Sequence, residues 1–561
     1  MSELRGVGIG LGVAQGPVVR MTEAVPAPDE TPSSIGADAE RARVREAISV
    51  VAQELTARGA TAGGSAQEVL EAQAMIAEDP TLQDEVDGRI DAGATAERAV
   101  HDAFAGFRAT LEAVGGYLGE RAADLDDIAQ RVLARLRGVD APGVPDPGHP
   151  FVLVARDLAP ADTALLDLDK VLALITVDGG PTSHTAILAR EKGIVAIVGV
   201  ADGFTLANGD TVIVDAAAGV VTVDPTADEK DRAAQRAAAR MSADAAPLTP
   251  GALADGTPIA LLANLGKPAD AADAVERGAE GVGLFRTEFL FLSSSQAPTI
   301  AQQRESYREL LEAFPGKKVV VRMLDAGADK PLAFLNDAHE ENPALGLRGI
   351  RALRASEDIL REQLTALAEA DAQTDADLWV MAPMVATVEE TVYFTTLARD
   401  YGLKTAGVMV EVPASALLAD RVLAHADFAS IGTNDLTQYT MAADRMLGSV
   451  AGLQDPWHPA VLRLVREVGD AGSRLGKPVG ICGEAAADPM LAVVLVGLGA
   501  TSLSMAPSAL ADVRHTLSER TLDEARSLAQ VALAADDAAG ARKAVADATA
   551  ALSPHQKETT S

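Results

Sequence analysis

The chain has 561 residues, which gives room for several domains and large cores, and a formal net charge of −33. Such an acidic surface repels nucleic acid and anionic membranes, so both are excluded as expected partners, and an anionic substrate would need local clusters of Arg or Lys. Hydrophobic residues make up 48% and aromatics only 3%, so Ala, Val and Leu carry the core, while the single cysteine, Cys482, rules out an intramolecular disulfide and fits a reducing compartment. MSELRGVGIG has no apolar signal core and no stretch reads as a membrane span, so a cytoplasmic protein is expected.

In chain order, GVGIGLGVAQGPVV (6–19) reads as a Gly-rich strand and turn, and the Pro-rich VPAPDETPSS (25–34) as a linker. Apolar residues then recur at helical spacing, as in DAERARVREAISVVAQEL and ERAADLDDIAQRVLARL, which predicts a helical domain over 30–140. APGVPDPGHP (141–150) closes it. Strand signals return at FVLVARDL, VLALITV, IVAIVGV and DTVIVDAAAGVVTVDP, giving an α/β domain over 147–225 that residues 1–22 would complete. The helical block is thus an insertion. A charged, Ala-rich helix and a Pro-containing loop form a connector at 226–257.

From 258 onward eight apolar runs alternate with helical stretches: PIALLAN, GVGLF, KVVVRML, LWVMAPM, TAGVMVE, FASIG, PVGICG and SLSMA. That is the pattern of a (β/α)8 barrel, here spanning 258–551 with C-terminal helices, before a tail at 552–561 expected to be disordered. The fold class is therefore multidomain α/β: a TIM-type barrel, a smaller α/β domain and an inserted helical bundle.

Two constellations carry chemistry. GGPTSHTAILAR (179–190) sets His184 between a strand and a helical pattern, where free backbone N–H groups favour a phosphoryl group and small neighbours leave the imidazole open. A packed or capping histidine is the alternative reading. In the barrel, polar residues follow the apolar runs: Arg286, Arg322 with Asp325, Asp329 and Lys330, Arg348, Glu411, Asn434 and Asp435, Arg445, and Cys482 with Glu484. Strand ends of a barrel meet on one face, so the arginines and lysine would bind phosphate and carboxylate, and Glu411 with Asp435 would suit Mg2+. For each residue taken singly, a surface ion pair is the plainer reading.

GGPTSHTAILAR resembles the phosphohistidine motif shared by Enzyme I of the sugar phosphotransferase system, pyruvate phosphate dikinase and phosphoenolpyruvate synthase. The resemblance implies that His184 carries phosphate, that Thr163 positions its ring, and that Pro181 replaces a residue often Arg in Enzyme I. The runs from about 258 to 510 resemble the phosphoenolpyruvate-binding barrel of the same enzymes. That implies Arg286, Arg322, Lys330, Asn434 and Arg445 on the substrate, Arg348 nearby, Glu411 and Asp435 on Mg2+, and Cys482 as the acid that protonates the enolate of pyruvate.

Among these relatives the dikinase and the synthase need an ATP-binding domain of several hundred residues, for which this chain has only a helical block. Its order of parts is similar to Enzyme I over nearly the whole length. The resemblance implies Mg2+-dependent transfer from phosphoenolpyruvate to His184, then to the histidine of the carrier HPr, with a swivelling phosphohistidine domain and a homodimer formed through the barrel. Glu71, Glu78, Asp79, Asp124, Asp126 and Asp127 are candidates for the HPr-docking face. A nitrogen-related Enzyme I paralogue and a non-catalytic binder of phosphoenolpyruvate are the alternatives.

Overall fold

The computed structural model describes all residues except 1–2, 11, 23–24, 63–69, 71–72, 115–121, 140, 142, 146, 159–165, 168, 181–182, 184, 187–188, 190–192, 245–247, 293–296, 327–331, 333–334, 336–339, 446 and 553–561. The chain forms two compact units, Met1–Arg236 and Ala237–Ser561.

The first unit holds an eight-stranded sheet and a helical bundle. Its strands are β1 (Glu3–Arg5), β2 (Val7–Ile9), β3 (Val13–Arg20), β4 (Phe151–Ala155), β5 (Val171–Thr176), β6 (Val195–Val198), β7 (Thr211–Asp215) and β8 (Val220–Val223), in the order β1-β8-β7-β3-β4-β5-β6-β2. Strands β3 to β6 are parallel and the rest join antiparallel. The Gly-rich run at 6–19, expected as a strand and turn, holds β2 and most of β3, and β1 precedes it. Consecutive strands β1 and β2 lie on opposite edges, so the sheet is rolled until its edges meet at Gly6. Only glycine fits there, since a Cβ would lie 2.6 Å from the Val198 carbonyl oxygen. The run at 210–225 likewise folds back on itself as β7 and β8, with Gly219 at φ +64° in the turn.

Between β3 and β4 the helices Ala37–Ala62, Pro80–Asp91, Ala96–Val114 and Ala122–Arg137 share their own core of Val44, Ile48, Val86, Phe104, Ile128 and Val132 among others. Local chemistry sets their ends. Asp79 accepts the Thr81 and Leu82 amides, with Pro80 at the first helical position.

The second unit is a closed barrel of eight parallel strands: β9 (Ala260–Leu265), β10 (Val282–Arg286), β11 (Lys318–Arg322), β12 (Asp377–Ala382), β13 (Thr405–Val410), β14 (Ala429–Gly432), β15 (Val479–Cys482) and β16 (Ser502–Met505). Each expected apolar run holds one of them. The main core lies between barrel and helices, where Phe285, Phe291, Tyr307, Phe314 and Phe394 are fully buried. The helices Leu522–Leu533 and Ala538–Leu552 join it through Leu528, Ala541 and Val545. Inside the barrel lies a smaller buried cluster of Leu284, Val320, Met381, Met409, Phe428 and Cys482.

Candidate active site

Parallel strands bring all their C-terminal ends to one mouth. Arg286 ends β10, Arg322 ends β11 and Cys482 ends β15. Glu411 follows β13 directly, and Asn434 and Asp435 lie in the first turn of the helix Thr433–Met441, directly after β14. That helix stops at Ala442, which is left-handed at φ +51°, and this turns the chain toward Arg445. Arg348 precedes Gly349, held at φ +58°.

These side chains form a buried ion network. Arg322 donates to Glu288 at 2.9 Å and lies 3.2 Å from Asp325. Arg348 bridges Asp325 at 2.9 Å and Asp435 at 3.0 Å, and also reaches the Tyr439 hydroxyl at 3.1 Å. Arg445 meets the other oxygen of Asp435 at 3.4 Å. Burial opposes the charge on Arg322, but Glu288, Asp325, Glu411 and Asp435 together hold its guanidinium above the usual range. Asp325 is likewise opposed by burial, yet Arg322 and Arg348 keep it below the usual carboxylate range.

Arg286 differs. Among the described residues no acceptor hydrogen-bonds its guanidinium, and burial, then the neighbouring Arg322, push it down from its ordinary value. A cation beside a second cation with no anion bonded to it is poised for an anionic ligand.

Glu411 is fully buried and accepts the Met384 amide at 2.6 Å. Burial first, then Asp435 and Asp325, push its carboxyl up to about 8. A divalent cation at Glu411 and Asp435 would relieve that crowding. Among the described residues no three His, Cys, Asp or Glu side chains form a metal cage. A carboxylate pair completed by substrate oxygens is the donor set that suits Mg2+.

Cys482 is buried, accepts from the Ser430 hydroxyl at 3.4 Å and donates to the Ile431 carbonyl at 3.5 Å. Burial pushes its thiol up to about 11, against the Ser430 hydrogen bond and with Glu411 adding to the rise. The thiol is therefore protonated at neutral pH. Asn434 accepts the Glu484 amide at 3.4 Å, which ties the ends of β14 and β15 together.

The barrel mouth thus gathers Arg286, Arg322, Arg348, Glu411, Asn434, Asp435, Arg445 and Cys482. His184, Thr163, Pro181, Asp329, Lys330 and Glu71 lie outside the described residues, as does the side chain of Asp124. Of the other expected docking acids, Asp79 caps a helix, Asp126 and Asp127 pair with Arg108 and Arg131, and Glu78 is exposed. Sequence reasoning passed over Glu288, Tyr439 and Ser430. Glu288 stands two residues after Arg286, but its partner Arg322 is 34 residues away, and no spacing rule signals that.

Comparison with known proteins gives three family matches along the chain. Residues 5–121 match the N-terminal domain of PEP-utilising enzymes, 147–219 their mobile domain, and 241–522 their PEP-binding domain. A Streptomyces coelicolor phosphoenolpyruvate-protein phosphotransferase is 54% identical over 545 residues, 96% of this chain and 98% of that protein. Proteins of the same name from Haloferax volcanii and Bacillus subtilis are 43% identical over 83% of this chain and 84% of theirs, and 38% identical over 94% and 96%.

Proposed function

Since the chain belongs to the family of phosphoenolpyruvate-protein phosphotransferases, we propose that it transfers the phosphoryl group of phosphoenolpyruvate to His184, releases pyruvate, and passes the phosphate on to the carrier HPr. The observation that carries this reading is the pair Arg286 and Arg322 beside the carboxylates Glu411 and Asp435. The two guanidiniums crowd each other, and among the described residues no acceptor hydrogen-bonds Arg286, while Glu411 is crowded by Asp435 and Asp325. Phosphoenolpyruvate would give Arg286 an anion, and Mg2+ would relieve the crowding at Glu411.

In this reading Arg286 and Arg322 take the phosphoryl oxygens, with Lys330 and Arg445 adding positive charge, and Asn434 donates from its amide. Arg348 positions Asp325 and Asp435 through its two ion pairs. Mg2+ held by Glu411 and Asp435 would polarise the carboxylate and enolate oxygen of the substrate. The phosphorus–oxygen bond breaks as a ring nitrogen of His184 bonds phosphorus, in a transfer governed by position and charge. The enolate left behind takes its proton at carbon from the Cys482 thiol. A buried thiol kept protonated is suited to that step.

The helical bundle would dock HPr, Thr163 would position the histidine ring, and the barrel would form a homodimer. No helix among the described residues is long and apolar enough to cross a membrane. A reducing, cytoplasmic setting fits the lone cysteine.

The test uses phosphoenolpyruvate labelled in its phosphate, with Mg2+. The wild type should acquire an acid-labile label, and His184→Ala should acquire none while still binding the ligand. An acid-labile label on His184→Ala would overturn the assignment.

A further inference from the structure

A thiol that has given its proton to an enolate must recover one before the next forward turnover. The active-site mouth is filled with arginines and carboxylates committed to substrate and metal. Below Cys482 the layers of side chains that fill such a barrel leave a gap. Gly283, Gly480, Ser430, Ser502 and Ser504 line one part of a cavity that reaches Lys318 at the start of β11, apolar side chains such as Val320 and Phe428 line the rest, and its volume is about 10 Å3. That is close to the space of one water-sized sphere.

The glycines make room for the hydroxyls. A Cβ at Gly480 would lie 2.9 Å from Ser502 Oγ and 3.8 Å from Ser430 Oγ, and one at Gly283 would lie 2.5 Å from Ser504 Oγ. At the top, the Ser430 O–H points to Cys482 Sγ at 3.4 Å, while the thiol's own hydrogen is directed to the Ile431 carbonyl. Donation therefore already runs from serine to sulfur, the direction a thiolate needs. At the bottom, Lys318 Nζ sits 3.9 Å above the Trp379 ring, near Asp377.

We propose that Ser430 returns the proton to Cys482 from inside the barrel, along the serine-lined cavity that begins at Lys318. The enolate carbon takes the hydrogen of Sγ, leaving a thiolate. The Ser430 O–H bond then breaks as the S–H bond forms, and Ser430 Oγ takes a proton from water in the cavity. That water is reprotonated by the Lys318 ammonium, which regains its proton from bulk water. Burial lowers the Lys318 amine to about 8, so it gives up a proton readily. This route rests on the reading of Cys482 as the acid.

Exchange of isotopic carbon between pyruvate and phosphoenolpyruvate does not need the route. The thiolate left by one cycle can be reprotonated by the methyl group of the next pyruvate. Deuterium entry from solvent does need it. The full-length protein is therefore incubated in D2O with phosphoenolpyruvate, Mg2+ and carbon-labelled pyruvate, and deuterium uptake is divided by carbon exchange. The ratio should fall about a hundredfold in Ser430→Ala, the lower edge of what proton transfer by a positioned group contributes. It should recover in Ser430→Thr. Lys318→Met, at the far end of the cavity, should lower it too. A merely structural role would slow both processes together and leave the ratio at its wild-type value in Ser430→Ala and Lys318→Met, which would overturn the proposal. Failure of the underlying reading looks different: Cys482→Ser would then form pyruvate at the wild-type rate.

Discussion

Glu288 holds two buried donors at once, the Arg322 guanidinium at 2.9 Å and the Asp325 amide at 3.0 Å. Glu288→Ala would strand that amide and halve the carboxylates bonded to a buried cation. Loss of a buried ionic partner costs about 3–5 kcal/mol when nothing else compensates. Asp325 remains in place, so the loss should fall below that, at about 2–3 kcal/mol. Glu288→Gln keeps an acceptor for both donors and should cost less. Urea unfolding followed through the barrel transition measures both. Equal losses for Ala and Gln would mean that only the charge of Glu288 matters and its acceptor geometry does not. Among the described residues no carboxylate hydrogen-bonds Arg286, so it should behave oppositely, with function more affected than stability.

The junction of β14 and the helix Thr433–Met441 shows how an element positions chemistry. Gly432 ends the strand directly against Glu411: a Cβ there would lie 2.7 Å from Glu411 Oε2 and 3.3 Å from both its Cβ and Met409 Cγ. Gly432→Ala should displace the carboxylate of Glu411 while keeping the barrel. The expected outcome is a raised Mg2+ requirement with circular dichroism unchanged. A wild-type metal titration would show that the carboxylate tolerates the methyl group. At this scale much was legible in the sequence, because parallel barrel strands are buried on both sides and read as short apolar runs. All eight were visible, and so was the habit of polar residues to follow them. What stayed hidden were features without a run. The three-residue strands β1 and β2 are too short to show alternation, and their opposite edges depend on closure at Gly6. Ser430 reads as one more small residue within an apolar strand. Its meaning comes from Cys482, 52 residues later, across a strand pair that sequence spacing does not reveal.

At the scale of the molecule, the two compact units divide the chemistry. Met1–Arg236 contains His184 and the helical bundle, and Ala237–Ser561 contains every arginine and carboxylate of the barrel mouth. Each unit has its own buried cores, so cutting the chain within 245–247 should give two fragments that fold separately. The N-terminal fragment should take phosphate backwards from phosphorylated HPr, an exchange that needs only the histidine and a docking face. It should not react with phosphoenolpyruvate, since Arg286, Arg322, Glu411, Asp435 and Cys482 are absent from it. The C-terminal fragment should bind phosphoenolpyruvate with Mg2+ and never acquire an acid-labile phosphate. Each fragment is incubated alone with labelled phosphoenolpyruvate, and the first also with labelled, phosphorylated HPr. If the N-terminal fragment were labelled by phosphoenolpyruvate alone, the substrate site would not be the barrel mouth. If it folded yet exchanged nothing with the carrier, the helical bundle would lose its docking role while the barrel assignment stood.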